Sequence, residues 1–329
     1  MFDVITFGTA TLDVFLRSPG LEVDEVSGHK DICVRYGGKL EVDEIFFESG
    51  GGGTNTAVTF ARHGLKVACV TQIGFDFAGE KITTDLKNEG VETGLIDRHK
   101  DIYSDYSTIL WAGDGGRTVL VYRGKTKLEA ENIAWDKLEA EWYYLASLEG
   151  NLEIVKRLID RIQTTGNSKI AWNPGGRELK QKKAVLELLP GITLVNMNKE
   201  EMEELLQVQS SKLEVQSLLK LAQELPCKYI VITDDRRGAY LWDRDNQKWF
   251  HSGIYEDSPR FETTGAGDGF GSGLVTGFIK NFTLPDCLWL AAANASGVVS
   301  KVGAKKGILK TEDLTDWPKD KLLIEEINL

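Results

Sequence analysis

The chain has 329 residues, of which 42% are hydrophobic and 27% charged, with a formal net charge of −11 at pH 7. This composition predicts a globular protein with a sizeable core. The acidic balance, without any run of basic residues and interleaved aromatics, argues against a nucleic-acid surface. An anionic substrate would therefore need a local positive site.

The cysteines and apolar segments predict a cytoplasmic protein. The four cysteines lie far apart without paired short spacings, so we expect reduced, buried thiols rather than a zinc site or a disulfide framework. No apolar run approaches membrane-spanning length, and the first residues lack the pattern of a signal peptide. We expect contact with neither a membrane nor nucleic acid. The cysteines are Cys33, Cys69, Cys227 and Cys287.

Short apolar runs alternate with helical patterns along most of the chain. Predicted strands cover residues 4–7, 67–72, 142–146, 169–172, 193–195 and 229–233. Predicted helices cover residues 54–63, 78–88, 152–163, 200–206 and 210–224. This alternation predicts one α/β domain over residues 1–329, with a mostly parallel central sheet covered by helices on both faces.

Two regions, about residues 12–48 and 103–123, interrupt this rhythm. Alternating β-rich stretches at 107–111 and 117–122 flank turn residues at 113–116, which indicates a hairpin. Because these regions bring no helices of their own, we predict a small antiparallel sheet that projects from the main body. Apolar residues on its edge, Ile45, Phe46 and Phe47, suggest a lid, a homodimer surface, or both.

The most unusual segment is TTGAGDGFGSG at residues 263–273. A helix N-terminus offers unpaired N–H groups and partial positive charge to a phosphate, and Gly265, Ala266 and Gly267 allow close backbone approach. An aspartate there would ordinarily repel a phosphate. Its presence makes sense if the carboxylate accepts a proton from a hydroxyl that is about to attack the phosphorus. Asp268 is therefore a candidate general base.

Packing is the competing explanation for this segment. Asp268 would complement the helix dipole, and glycines spaced four apart would let a second helix approach. Packing does not explain the small residues before the helix, so composition and spacing alone leave the two explanations about level. The stripe comprises Gly269, Gly273 and Gly277, facing Ala291 and Ala295.

A second glycine cluster, ESGGGGTNTA, covers residues 48–57. Its glycines can lie against a ligand, and Asn55 can both donate and accept hydrogen bonds, as a polyhydroxyl ligand requires. Taken alone, a flexible loop with Thr54 or Asn55 as helix N-cap is the simpler interpretation. A P-loop enzyme and a nicotinamide-dependent dehydrogenase are disfavoured because both fingerprints are missing.

Together, the two glycine segments resemble the signatures of the ribokinase-like (PfkB) family of carbohydrate kinases. The resemblance covers nearly the whole chain, since IGFDFAG at 73–79, NKEE at 198–201 and AAANA at 291–295 match further family motifs. It implies a ribokinase-like three-layer sandwich with a β-sheet lid. It also implies ATP-dependent phosphorylation of a hydroxymethyl group.

The resemblance implies roles for individual residues. Asp268 would be the base, and the backbone from Gly265 to Asp268 the anion hole for the transferring γ-phosphoryl group. Asn198 and Glu201 would act on Mg²⁺ through water, or form a helix N-cap and acidic first turn, or both. Substrate hydroxyls would contact Asp13, Gly51, Gly52, Gly53 and Asn55, and the nucleotide would contact Asn198, Thr233, Gly238 and Asn294.

Two positions depart from the family pattern. The resemblance implies a monovalent-cation site at Thr264 and Glu262, where many members have aspartate, so K⁺ is a candidate activator. Asp235 replaces a glycine near the nucleotide, which changes the expected backbone approach and the basis for donor preference.

The acceptor is the least determined part of the hypothesis. A phosphosugar would need Arg or Lys in the pocket, and Arg123 and Lys39 are candidates, although each could be a solvated lid charge. We favour an unphosphorylated sugar such as ribose or fructose. A nucleoside is the close alternative, because Phe46, Phe47 or Tyr106 could stack a base. A catalytically silent sugar-binding protein is less favoured, since binding alone needs no proton acceptor.

Overall fold

The computed structural model describes residues 1–26, 28–112, 116–166, 168–208, 214–261 and 263–329. Its centre is a nine-stranded sheet whose first six strands run parallel, as predicted, and whose last three are antiparallel. In order across the sheet these are β6 (Val67–Val70), β1 (Phe2–Phe7), β11 (Ala140–Leu145), β12 (Lys169–Trp172), β13 (Leu194–Asn198), β14 (Tyr229–Thr233), β15 (Ala239–Asp243), β16 (Lys248–Ser252) and β17 (Ile324–Ile327).

Helices cover both faces of this sheet, because successive side chains of its strands point to opposite sides. On β1, Ile5 and Phe7 belong to one core cluster and Val4 to the other. The first cluster is covered by α3 (Leu152–Thr165), α4 (Gly176–Leu179), α5 (Lys182–Leu188), α6 (Lys199–Leu206) and α7 (Val215–Ala222). The second is covered by α1 (Gly52–Arg62), α2 (Phe77–Asn88), α8 (Ala266–Ile279) and α9 (Leu284–Val299). The three-layer α/β sandwich is confirmed.

A second, four-stranded sheet, called the small sheet below, projects from this body in the order β10 (Arg117–Tyr122), β9 (Asp105–Trp111), β2 (Thr11–Arg17) and β5 (Glu44–Gly50). The predicted hairpin is present as the antiparallel pair β9 and β10, although residues 113–115 of its turn lie outside the described residues. The prediction of a purely antiparallel sheet is wrong, because β2 and β9 run parallel. Both strands come away from the carboxyl edge of the central sheet, so they leave it in the same direction.

Two further pairs complete the strands: antiparallel β3 (Glu22–Val26) with β4 (His29–Cys33), and parallel β7 (Gln72–Gly74) with β8 (Asp97–His99). The sequence patterns did not predict β15, β16, β17, α4 or α5, since elements this short carry too little periodicity. Of the helix predicted at 210–224, the structure shows Val215–Ala222, and residues 209–213 lie outside the described residues.

The cysteine prediction holds for three thiols and fails for one. Cys69, Cys227 and Cys287 are buried, whereas Cys33 is exposed on β4, a strand on which no residue is fully buried. Within the described ranges, no helix has both the length and the apolar character needed to cross a membrane.

Candidate active site

The candidate site lies at the carboxyl edge of the central sheet, where α1 and α8 begin beside the small sheet. Open α/β sheets bind ligands at this edge. The sequence folds this way because the turn after β1 packs directly on the start of α1: a Cβ on Gly53 would lie 2.9 Å from Gly8 Cα. The two glycine clusters, distant in sequence, also meet here: a Cβ on Gly52 would lie 3.3 Å from Asp268 Oδ1.

Asp268 and Asn55 are hydrogen-bonded at this meeting point. Asn55 Nδ2 donates to Asp268 Oδ2 at 3.0 Å. Asn55 is only 4% exposed, and its Oδ1 is buried without a protein partner among the described residues. Buried polar atoms are normally paired, so this oxygen is suited to accept a hydrogen bond from a ligand hydroxyl.

The environment of Asp268 favours a basic carboxylate. Burial raises its pKa above the ordinary value, while the Asn55 hydrogen bond and the positive charge of Lys305 act in the opposite direction. A carboxylate of raised pKa binds a proton more strongly, which suits a general base provided that it stays ionised.

The glycines at 51–53 are not a flexible loop. Gly51 is the N-cap of α1 with φ of 94°, so the alternative of Thr54 or Asn55 as the N-cap is wrong. A Cβ on Gly52 would lie 2.7 Å from Ala146 Cβ and 3.3 Å from Asp268 Oδ1. These glycines are needed because the start of α1 packs tightly against the end of β11 and the Asp268 carboxylate.

Asp13 joins the same edge from the small sheet. It is half-buried on β2, and the backbone of Gly50 packs against its Oδ2. Directly opposite lie Glu48 on β5 and Ser107 on β9. The small sheet thus presents the Asp13 carboxylate beside the glycine cluster.

The α8 N-terminus has the form expected of an anion site, with one correction. Gly265 is the N-cap in the left-handed region, with φ of 82°. The Ala266 N–H donates to Thr263 O at 3.1 Å, so it is already engaged in a turn. The N–H groups of Gly267 and Asp268 lie in the first turn, where helices provide no backbone acceptor. These two amides are therefore the better candidate donors.

A cavity of about 370 Å³ adjoins this helix end. Its wall includes the predicted residues Asn198, Thr233, Gly238 and Gly267. A Cβ added to Gly267 would meet no atom within 4 Å, so a side chain there would project into free space. Gly238 is required for a different reason: with φ of 85°, its Cβ would collide with Ser252 O.

Asn294 does not reach this cavity. It is fully buried, its Nδ2 donates to Gly269 O at 2.8 Å, and its Oδ1 accepts from Leu309 N at 2.9 Å. Its side chain connects α8, α9 and the segment that follows α9. The structure therefore gives Asn294 a packing role instead of the predicted contact with a nucleotide. Both ends of the amide are used inside the protein, and a sequence motif cannot show that orientation.

Asn198 and Glu201 form a capping box at the start of α6. Asn198 Oδ1 accepts from Glu201 N at 2.8 Å, and Glu201 Oε2 accepts from Asn198 N at 2.9 Å. Burial, followed by the charges of Glu200, Glu204 and Asp268, raises the pKa of Glu201. A divalent cation would relieve this excess of negative charge.

No group of three or more His, Cys, Asp or Glu side chains in the described part of the chain could hold a metal ion. Glu262, one of two predicted monovalent-cation residues, lies outside the described residues. The other, Thr264, is exposed, and its Oγ1 accepts from Arg117 Nη2 at 3.4 Å.

Residues 2–311 match the family profile of the pfkB family carbohydrate kinases. The chain belongs to this family. It is therefore a phosphotransferase that acts on an alcohol group. The match spans the small sheet, all but the last strand of the central sheet, and both glycine clusters.

Curated relatives of this pfkB kinase include ribokinases and nucleoside kinases. A ribokinase of Haemophilus influenzae is 26% identical over 274 residues, 82% of this chain and 86% of the relative. A nucleoside kinase of Methanocaldococcus jannaschii is 24% identical over 266 residues, 79% of this chain and 82% of the relative. The solved ribokinase of Arabidopsis thaliana, complexed with ribose and ATP, has a TM-score of 0.78 at 19% identity and covers 96% of this chain and 98% of its own. This last likeness shows the shared fold.

Several residues of the cavity wall were not identified from the sequence. The cavity wall includes Arg260, and a face of α9 formed by Ala292, Ser296 and Val299. Their spacing of four and three residues is a helical stripe that could have been recognised as a small-residue face. Arg260 follows no pattern; its Nη1 lies 3.6 Å from Asp235 Oδ1.

Asp235 has a backbone conformation that glycine adopts more easily than other residues. Its φ is 42°, in the left-handed region that glycine adopts easily and aspartate tolerates. Asp235 thus brings a carboxylate to the cavity wall.

Two arginines near the small sheet, Arg123 and Arg177, are paired with carboxylates. Arg123 Nη1 lies 3.2 Å from Asp105 Oδ2, and Arg177 Nη1 lies 3.4 Å from Glu149 Oε2. Glu149 has φ of 57° after β11, and burial raises its pKa. Sequence reasoning did not identify Glu149, because its position depends on the loop that follows the strand.

Proposed function

We propose that this pfkB kinase transfers the γ-phosphoryl group of ATP to a hydroxymethyl group of an unphosphorylated sugar such as ribose or fructose. The observation that carries the proposal is the hydrogen bond between Asn55 and Asp268, which leaves Asn55 Oδ1 available to a substrate hydroxyl. It joins a base and a hydroxyl-binding group in one place. The relatives named ribokinase support this acceptor class.

In this proposal, Asp268 accepts the proton of the acceptor hydroxyl as its oxygen bonds to phosphorus. Asn55 Oδ1 and Asp13 hold other hydroxyls, and Gly51, Gly52 and Gly53 close against the sugar. The N–H groups at the α8 N-terminus stabilise negative charge on the transferring group. The small sheet acts as a lid that excludes water.

ATP is the proposed donor, held in the cavity beside Gly267. Asn198, Thr233 and Gly238 form part of its wall, and Glu201 with Asn198 would hold Mg²⁺ through water. Mg²⁺ neutralises phosphate charge during such transfers. Arg117 places a positive charge beside Thr264, which argues against a monovalent cation close to that hydroxyl. Measuring activity with and without K⁺ tests this.

Local charge supports an unphosphorylated acceptor. Arg123 and Arg177 are each paired with a carboxylate, and Lys39 is exposed. A phosphosugar would need Arg or Lys side chains whose charge is not already balanced by a carboxylate. In each pair the carboxylate offsets the charge of its arginine.

A nucleoside acceptor has weaker support. Phe47 packs edge-on against Phe77 on α2, and Tyr106 packs against Leu12 and Val14. Strand alternation places both on the face of the small sheet opposite Asp13. Phe46 shares the face of Asp13, where it stacks on Phe15 at 4.9 Å. One of the three candidate aromatics is thus on the side where a base would lie.

The exposed edge strand β10 supports a homodimer through the small sheet. Leu120, Val121 and Tyr122 on this strand are about half exposed, and unpaired apolar edges associate readily. Sedimentation analysis of wild type and Leu120→Asp tests this: a dimer lost in the variant supports the interface, and a monomeric wild type overturns it.

The deciding experiment measures Mg-ATP-dependent ADP release by wild type and Asp268→Asn. The acceptor panel contains ribose, fructose, other hexoses, ketodeoxy sugar acids, their monophosphates and nucleosides, with and without K⁺. Turnover of a neutral sugar by wild type alone supports the proposal. Turnover confined to phosphosugars or nucleosides overturns the acceptor class, and silence with ATP and sugar binding intact favours a binding protein.

A further inference from the structure

A buried lysine that the proposed mechanism does not use lies behind the site. Lys305 is 6% exposed, and its Nζ donates to Ser49 Oγ at 2.8 Å. It follows Ala304, whose Cβ lies where a side chain at Gly265 would project, 2.9 Å away. The lysine therefore lies between the α8 N-terminus and the base of the small sheet.

The charged surroundings of Lys305 are dominated by acidic groups. Acidic side chains on several elements interact with its charge: Asp13 on β2, Glu48 on β5, the Cys69 thiol on β6, Asp85 on α2, Glu89 just after α2, and Asp268 on α8. From α1, the Arg62 guanidinium donates to the Lys305 carbonyl at 3.0 Å. Two of the acidic groups, Asp13 and Asp268, belong to the proposed acceptor site.

We propose that Lys305 is a positioning residue of the acceptor site: its buried ammonium compensates Asp13 and Asp268 and so keeps Asp268 ionised for proton abstraction. The inference rests on the proposed function, because it assigns Asp268 as the base. Lys305 acts through Asp268 and contacts neither substrate in this scheme. Its bond to Ser49, next to Glu48 on the edge strand of the small sheet, also fixes the ammonium at the base of the lid.

The energetics favour a functional reason for this lysine. A buried ammonium loses hydration that one serine hydroxyl does not replace, which is costly. Burial lowers the pKa of Lys305 to about 8, so the group still carries its charge at neutral pH. A hydrophobic side chain of the same length would fill this space without that cost. The ammonium is thus explained by what its charge does to neighbouring carboxylates.

The test measures the pKa of Asp268 directly, by ¹³C NMR of carboxyl-labelled aspartate, with Asp268→Asn used for assignment. Lys305→Met removes the charge and keeps the length, and Lys305→Gln provides a second neutral variant. Lys305→Arg keeps the charge. Lys306→Met is the matched control, because it removes the same charge from the adjacent, half-exposed position that pairs with Glu48.

We expect the Asp268 pKa to rise by about one unit or more in the two neutral variants and to stay near wild type in Lys305→Arg and Lys306→Met. The acid limb of kcat/KM should move by the same amount, with activity recovering at higher pH. An unchanged Asp268 pKa in the neutral variants, or an equal loss of activity at every pH, overturns the proposal. If wild type shows no turnover, the proposed function fails, whereas the NMR titration still decides the coupling.

Discussion

The side-chain amide of Asn55 binds the carboxylate of Asp268 at 3.0 Å, across 213 positions of sequence. The contact ties the first turn of α1 to the first turn of α8. It orients the carboxylate, and it leaves the amide oxygen unpaired in a buried place. The proposed chemistry depends on this pair, and the first three predictions test it.

Asp268→Asn should lower kcat by roughly 10²–10⁴-fold, the usual contribution of a positioned base. ATP affinity should stay near wild type, because the amide keeps the size of the carboxyl group. ADP release and calorimetric ATP binding measure the two effects. Asp160→Asn, at an exposed position on α3, is the matched control and should behave as wild type. A variant at position 268 that retained wild-type kcat would exclude the assigned base.

The raised pKa of Asp268 predicts opposite effects on activity and stability. The base must be ionised, so kcat/KM should fall as pH decreases through a pKa above that of an ordinary aspartate. At a pH between the Asp268 pKa of the unfolded state and that of the folded state, the native state binds more protons than the unfolded state. Stability is therefore lost as pH rises through that window. At neutral pH the ionised carboxylate therefore costs stability.

It follows that Asp268→Asn should melt at the same or a higher temperature than wild type at pH 7.5. The difference should shrink as pH falls towards the folded pKa. Thermal denaturation across pH 5–8 checks this. A lower melting temperature for the variant at pH 7.5 would show that the carboxylate stabilises the fold.

Asn55→Ala should lower kcat/KM for the acceptor roughly tenfold to hundredfold, because a hydrogen bond to a charged group contributes about 1.5–3 kcal/mol. The acid limb should also move to higher pH, since the Asn55 hydrogen bond holds the Asp268 pKa down. Steady-state kinetics with varied acceptor and pH measure both effects. The exposed Asn132→Ala serves as control. Unaltered acceptor kinetics in Asn55→Ala would remove this residue from the site.

Alanine at two neighbouring glycines should separate ligand binding from folding. In Gly267→Ala the new methyl group projects into free space beside the cavity, so the melting temperature should hold while KM for ATP rises. In Gly265→Ala the left-handed φ and the Ala304 contact should cost about 1–3 kcal/mol of stability. Chemical denaturation and ATP kinetics distinguish the two. Equal ATP kinetics for Gly267→Ala and wild type would place the nucleotide elsewhere.

Glu201→Gln should raise the Mg²⁺ concentration needed for half-maximal activity about tenfold, because it removes a carboxylate whose charge a cation would balance. Glu204→Gln is the control on the same helix; Glu204 is exposed and lies 3.9 Å from Lys182. A Mg²⁺ titration at fixed ATP measures the shift. A similar response in both variants would mean that Glu201 has no special relation to the metal.

Local patterns in the sequence were sufficient for much of the fold. The strands at Lys169–Trp172 and Tyr229–Thr233 were predicted at their observed bounds, because a short apolar run between turn residues is a local signal. The glycine stripe of α8 was also predicted: a Cβ on Gly273 would lie 3.0 Å from Ala291 Cα. Spacing along one helix is enough to show such a face.

Orientation and long-range contact were not available from these patterns. The sequence could not show that Asn294 faces inward, that the Ala266 amide is used in a turn, or that β2 and β9 run parallel. The second glycine cluster, for which a flexible loop was considered, forms the packed start of α1. Each of these depends on what lies across the fold.

By itself, the sequence determined the α/β class, the family and the chemical types gathered in the site, because periodicity and short motifs are properties of neighbouring residues. Only the tertiary structure decided that the Asn55 amide meets Asp268 and that the Lys305 ammonium is buried behind them. Such pairings depend on how helices and strands distant in sequence pack together. The electrostatic environment of each carboxylate is set by that packing.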